Sequence, residues 1–128
     1  MEEKKREIAT TTRLWKVAVD TNNLNKVVEL YNDSALLYAT FMTRLDTPHK
    51  ISEYFQHLFE KSDFSVSFDS QDIRVFADNV AINSGIYTFS YISDFGKLIS
   101  IKARYTLVFL YEDNCWKIIE HHSSVNPE

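Results

Sequence analysis

Phe64-Ser65-Val66-Ser67-Phe68-Asp69-Ser70-Gln71-Asp72-Ile73-Arg74-Val75 is the stretch in which the chain changes its hydrophobic period. Phe64, Val66 and Phe68 alternate with Ser65, Ser67 and Asp69, the period of two that puts apolar side chains on one face of a strand. Ile73 and Val75 resume the alternation one residue out of phase, which predicts a bulge or bend near residues 70–72. Downstream, the turn-forming groups Ala77-Asp78-Asn79, Asp94-Phe95-Gly96-Lys97 and Glu112-Asp113-Asn114 separate three further runs over residues 80–93, 98–111 and 115–125. Three successive hairpins make an antiparallel meander. Strands of about 12 residues exceed the usual five or six, so the sheet must twist and curl.

Upstream the period is 3.6. Ile8, Thr12, Trp15, Ala18 and Val19 share one helical face, and Asp20-Thr21-Asn22-Asn23 closes that helix. Leu24, Val27, Val28 and Tyr31 predict a short second helix ended by Asn32-Asp33-Ser34. Residues 35–42 read as a buried strand. Thr47-Pro48 is an N-cap followed by Pro at the first helical position, and Ile51, Tyr54, Phe55, Leu58 and Phe59 mark the stripe of a third helix. The expected fold is α+β: one domain over residues 1–128, with three helices packed on one face of a curled antiparallel sheet to enclose a cone-shaped core. A ligand would occupy the mouth of such a cone.

With 128 residues the chain can bury a core without disulfides, and its single cysteine, Cys115, permits none internally. We read Cys115 as a structural thiol, and one unpaired cysteine with no signal-peptide core places the chain in the cytoplasm. The net charge of -4 argues against a nucleic-acid surface. No apolar run is long enough to span a membrane. His121 and His122 are adjacent and point to opposite faces, so they do not share a metal, and no cofactor motif is present.

Three segments carry a resemblance: Ile51-Ser52-Glu53-Tyr54-Phe55 with Arg44 ahead of it; Gly85-Ile86-Tyr87-Thr88-Phe89; and Ala103-Arg104-Tyr105-Thr106 followed by Asp113-Asn114-Cys115-Trp116-Lys117-Ile118-Ile119-Glu120-His121-His122-Ser123-Ser124 and Pro127. Together they resemble the nuclear transport factor 2-like superfamily. The likeness is to its SnoaL-like branch, which includes the association (hub) domain of calcium/calmodulin-dependent protein kinase II and its bacterial stand-alone relatives. The family's Asp-Gly-Lys-Trp turn is replaced here by Asp113-Asn114-Cys115-Trp116, which still suits a tight hairpin. The resemblance implies a domain that self-associates through its sheet, as a homodimer or larger ring, and holds a polar pocket. No kinase or calmodulin-binding segment lies within these residues, so kinase regulation is not expected of them.

Strict alternation along the last strand sets Trp116, Ile118, Glu120, His122 and Ser124 on one face unless a bulge intervenes. Glu120 could then orient His122 as a general base, or simply satisfy it. Arg104 lies in an apolar strand and must reach water, pair with a carboxylate such as Glu120 or Asp46, or bind an anion. With Arg44 it would suit a small carboxylate ligand. The expected pocket comprises Arg44, Arg104, Tyr87, His122 and Trp15, although Trp15 and the Tyr87-Phe89-Tyr91 row also read as core or subunit interface. Two functions compete: a self-associating domain that binds a small anionic organic molecule, and an isomerase, cyclase or hydratase using His122 and Glu120. Asp46, Tyr38 and Tyr54 are a further acid/base set open to an enzyme of this fold. A third reading fills the pocket with the protein's own aromatics.

Overall fold

A computed structural model of the protein describes residues 2–40 and 42–127. Helix α1 runs over Glu2–Asp20, and its buried residues are the expected stripe, Ile8, Thr12, Trp15, Ala18 and Val19. Helix α2, Leu24–Glu29, starts at Asn23, whose side chain accepts from the Lys26 N–H. Helix α3, Pro48–Leu58, starts at Thr47, whose hydroxyl accepts from the Lys50 N–H at 3.1 Å. It buries Ile51 and Phe55.

Tyr31 does not close α2, and Asn32-Asp33-Ser34 does not stop it: all four belong to strand β1, Tyr31–Tyr38. The Ser34 N–H donates to the Asn32 side chain at 2.8 Å, a local turn that bends the strand where its register shifts. Part of the expected strand over residues 35–42, Phe41, lies outside the described residues. A short β2, Arg44–Leu45, folds back on β1. Strands β3 (Ser62–Ala77), β4 (Val80–Ile92), β5 (Leu98–Glu112) and β6 (Cys115–Val125) form the expected meander. The sheet order is β2-β1-β6-β5-β4-β3, with β1 running parallel to β6. The β5–β6 turn holds Asp113 and Asn114 at φ 50° and 65°, the left-handed pair that short hairpins use.

Of the register shifts in the sheet, two bear most on the interior. The one in β3, between Phe68 and Ser70, lies where the phase change foretold it. It drives the Ser70 carbonyl against Gly85 of β4, so closely that a Cβ there would collide with it. The second is in β6: Val108 faces Glu120 and Phe109 faces Ile118, leaving Ile119 extra. Beyond it the alternation reverses, so Trp116, Ile118, His121 and Ser123 are buried while Glu120 and His122 are exposed.

Helix α1 crosses the edge strand β3 and shuts part of it. Lys16 Nζ donates to the Val66 carbonyl at 2.7 Å, and the Val66 N–H donates to Asp20 Oδ1 at 2.9 Å. Lys16 and Asp20 also pair with each other at 2.6 Å, so one ion pair occupies both free backbone groups of an edge residue. Asp20→Ala removes an acceptor from a half-buried N–H and should cost about 1–2 kcal/mol in denaturant unfolding. A loss within the error of a neutral surface substitution would show that water serves Val66 equally well.

Candidate functional site

Four elements meet inside the cone at His121. Trp15 of α1, Tyr31 of β1, Tyr87 of β4 and His121 of β6 are 1%, 4%, 0% and 3% exposed. Trp15 Nε1 donates to the Tyr31 hydroxyl at 3.2 Å. Tyr31 lies 2.8 Å from His121 Nδ1, and Tyr87 lies 3.0 Å from His121 Nε2. The indole can only donate, so the Tyr31 oxygen accepts from it and the Tyr31 proton goes to Nδ1. The neutral imidazole therefore carries its hydrogen on Nε2 and donates it to Tyr87. A second proton on the ring would leave the Tyr31 hydroxyl hydrogen without an acceptor.

Burial, with a smaller contribution from neighbouring His122, pushes the His121 pKa down to about 3. Burial also raises the phenols of Tyr31 and Tyr87 above their usual range. Aromatic rings pack tightly around this chain: Trp15 stacks on Tyr87 at 6.1 Å and meets Phe55 and Phe68 edge-on. A second buried network lies further along the sheet, where Asn83 donates to Thr12 and Gln71 and accepts from the Tyr105 hydroxyl. No buried side-chain nitrogen or oxygen among the described residues lacks a partner.

Of the expected pocket residues, only Trp15 and Tyr87 come together, and they do so as core. Arg44 is exposed on β2 and pairs with Asp46 at 2.8 Å. Lys50, through a hydrogen bond and its charge, together with Arg44, holds the Asp46 carboxyl below its usual pKa. Arg104 is exposed on the outer face of the sheet, opposite Ile86 and Ser124, and pairs with neither Glu120 nor Asp46 among the described residues. The two arginines therefore do not converge on one cavity. His122 is also outside, its ring 6.0 Å from that of Tyr38, because the Ile119 bulge turns it away from the interior. Glu120 shares that outer face. The interior histidine is its neighbour, His121, and no local sequence signal announces the bulge that selects it.

The open volume lies elsewhere. A cleft of about 990 Å³ separates α3 from the tip of the β4–β5 hairpin. Its apolar floor is Leu45, Tyr54, Leu58 and Ile92, and both basic groups (Lys50, His57 and Lys61) and carboxylates (Glu53, Glu60 and Asp94) stand around it. Lys61 Nζ sits 4.5 Å over the Tyr91 ring. Burial pushes the Tyr54 phenol up to about 12. Cys115 is exposed at the start of β6, away from this cleft. No helix among the described residues is long and apolar enough to cross a membrane.

A curled six-stranded sheet closed by helices around an aromatic core is the nuclear transport factor 2-like fold. Within it, the chain belongs to the calcium/calmodulin dependent protein kinase II association domain family, whose model matches residues 4–127. A candidate association domain of this kind from Xanthomonas campestris is 33% identical over 96% of this chain and 88% of its own, with TM-score 0.89. A nuclear transport factor 2-like superfamily protein from Salmonella enterica shares the fold at TM-score 0.85 and 17% identity, over 97% and 92% of the two chains. The association domain of C. elegans CaMKII does so at TM-score 0.80 and 11% identity, over 97% of each. Among proteins of curated function, none matches the sequence.

The pH dependence of stability follows from His121. Its folded pKa of about 3 lies below the unfolded value of ~6.5, so between them only the unfolded chain binds the proton. The stabilisation is complete above ~6.5 and falls by about 1.4 kcal/mol per pH unit below it, or about 2 kcal/mol between pH 7 and pH 5. His121→Gln should start less stable at pH 7 and lose about 2 kcal/mol less than wild type over that interval in denaturant titrations. Equal losses in the two proteins would show that His121 does not titrate on unfolding.

Proposed function

We propose that the protein is a self-association module whose contact surface is the outer face of its sheet. What supports this is an aliphatic band in the middle of that face. Val108 of β5 lies opposite Ile82 of β4, Val80 lies opposite Leu110, and Leu36 of β1 flanks them across Glu120. All five aliphatics are only partly buried in the single chain, and no helix covers them, because the helical layer lies on the other face. Four strands about 4.8 Å apart and about ten residues long present roughly 600 Å² in plan. That is near the ~800 Å² per partner of a stable interface. The Xanthomonas and C. elegans proteins are both described as association domains, which agrees with this reading.

Ligand binding, if it accompanies assembly, belongs to the cleft between α3 and the β4–β5 tip. The open volume and the apolar floor are there. Lys61, in no ion pair among the described residues, is the cation an anionic ligand would meet, since Lys50 pairs with Asp46 and His57 lies beside Glu60. Glu53, Glu60 and Asp94 also line the cleft, so a ligand with a single carboxylate and an apolar body suits it better than a polyanion. The interior His121 is closed to substrate with both ring nitrogens occupied, and the Glu120–His122 pair is outside the cone, which leaves the isomerase, cyclase or hydratase reading without an interior base.

Light scattering should find wild type as a homo-oligomer and Ile82→Asp with a lower native mass and unchanged far-ultraviolet circular dichroism. A wild-type monomer at micromolar concentration, or an Ile82→Asp protein of undiminished mass, would refute assembly through this face. For the cleft, small carboxylates should raise the melting temperature of wild type by a few degrees and that of Lys61→Ala by less. An equal rise in both proteins would remove Lys61 from the site.

A further inference from the structure

The outer edge of β3 is closed by α1 over its first half and open over its second. Before the bulge at Phe68–Ser70, Lys16 and Asp20 occupy the free carbonyl and N–H of Val66. Beyond it, no group outside the sheet hydrogen-bonds the main chain of residues 71–76 among the described residues. That open stretch keeps an unbroken register with β4 from Ser70↔Ile86 to Val75↔Ala81, where the next shift falls, so it is a pairing-competent strand. Such an edge is a template for another strand. Its outward side chains are Asp72, Arg74 and Phe76, all exposed, with Phe76 at 60%. The Arg74 guanidinium sits 5.6 Å over the Phe76 ring, and neither Asp72 nor Arg74 is in an ion pair among the described residues.

The order acid, Ile73, base is its own complement when read antiparallel. We infer that this open half of β3 pairs with the same segment of a second copy, about a two-fold axis through Ile73. In that register each Asp72 lies directly opposite the partner's Arg74, both on the outer face of a sheet continued across two chains. Centring the pair on Asp72 instead sets aspartate against aspartate, and centring it on Arg74 sets arginine against arginine, so like charges oppose each other. A half-step displacement places an inward-facing residue opposite an outward-facing one. The charges therefore select one register.

This contact deepens the assembly reading above, and one consequence rests on it. A face and an edge are different patches, each self-complementary about its own two-fold axis. Two such contacts on one chain build assemblies larger than a dimer.

The decisive experiment removes the face first, at Leu110, because Ile82 lies directly opposite Arg74 and a charge there would disturb the edge as well. In a Leu110→Asp background, native mass spectrometry should find a dimer held by the edge. Adding Arg74→Asp should reduce it to a monomer, and adding Asp72→Arg to that variant should restore the dimer, since the swapped charges again oppose. Circular dichroism of each protein checks that the fold is kept. If Leu110→Asp is monomeric while wild type is dimeric, the edge inference is overturned and the face reading stands. If Leu110→Asp leaves the wild-type mass unchanged, the face reading fails. The edge is then judged by the charge series alone: loss with Arg74→Asp and recovery in the double variant upholds it, and an unchanged mass overturns it. A monomeric wild type overturns both, leaving Asp72 and Arg74 as guards of an unpaired edge.

Discussion

A neutral imidazole held between two tyrosine hydroxyls ties this fold together. His121 joins β6 to β1 through Tyr31 and to β4 through Tyr87, and Trp15 extends the chain of donors into α1. An imidazole buried without those partners would cost several kcal/mol. With them, the Trp15, Tyr31 and His121 donors each have an acceptor in one arrangement of protons, and in that arrangement the ring is neutral. The polar chain makes the aromatic core specific, since the rings of Trp15, Tyr31 and Tyr87 can each point only one way and keep their bonds.

The same packing decides where the protein can act. A cone of this kind has room for a ligand, but here Trp15, Tyr87, Phe55 and Phe68 occupy it. The surfaces left are the cleft at the rim, the aliphatic outer face of the sheet and the open half of the β3 edge. The proposed self-association would use the last two. The bulge at Phe68–Ser70 divides the edge into a half that α1 covers and a half that it does not.

Much of this architecture was legible from the residues. The α1 stripe, the Thr47-Pro48 start of α3, the four meander strands and the β3 bulge are local patterns, each decided within a few residues by period or turn chemistry. What escaped was decided across strands. The parallel pairing of β1 with β6 joins segments some 85 residues apart, and nothing near Tyr31 signals that it enters a strand instead of ending a helix. The extra residue at Ile119 sits in an unremarkable apolar run, yet it exchanges His122 for His121 in the interior and turns Glu120 outward. Alternation sets Arg104 on the face opposite Tyr105 and Leu107, but alternation alone does not tell which face is the inside.

The central claim is that the interior is closed around a neutral His121. The direct measurement is an NMR titration of its ring nitrogens with ¹⁵N-labelled protein. The structure predicts an Nε2–H tautomer with Nδ1 accepting a hydrogen bond, and shifts that stay constant from pH 8 to pH 5. A His121 ring that takes up a proton near its ordinary pKa of ~6.5 while the protein remains folded would contradict the closed interior, and with it the assignment of function to the surface.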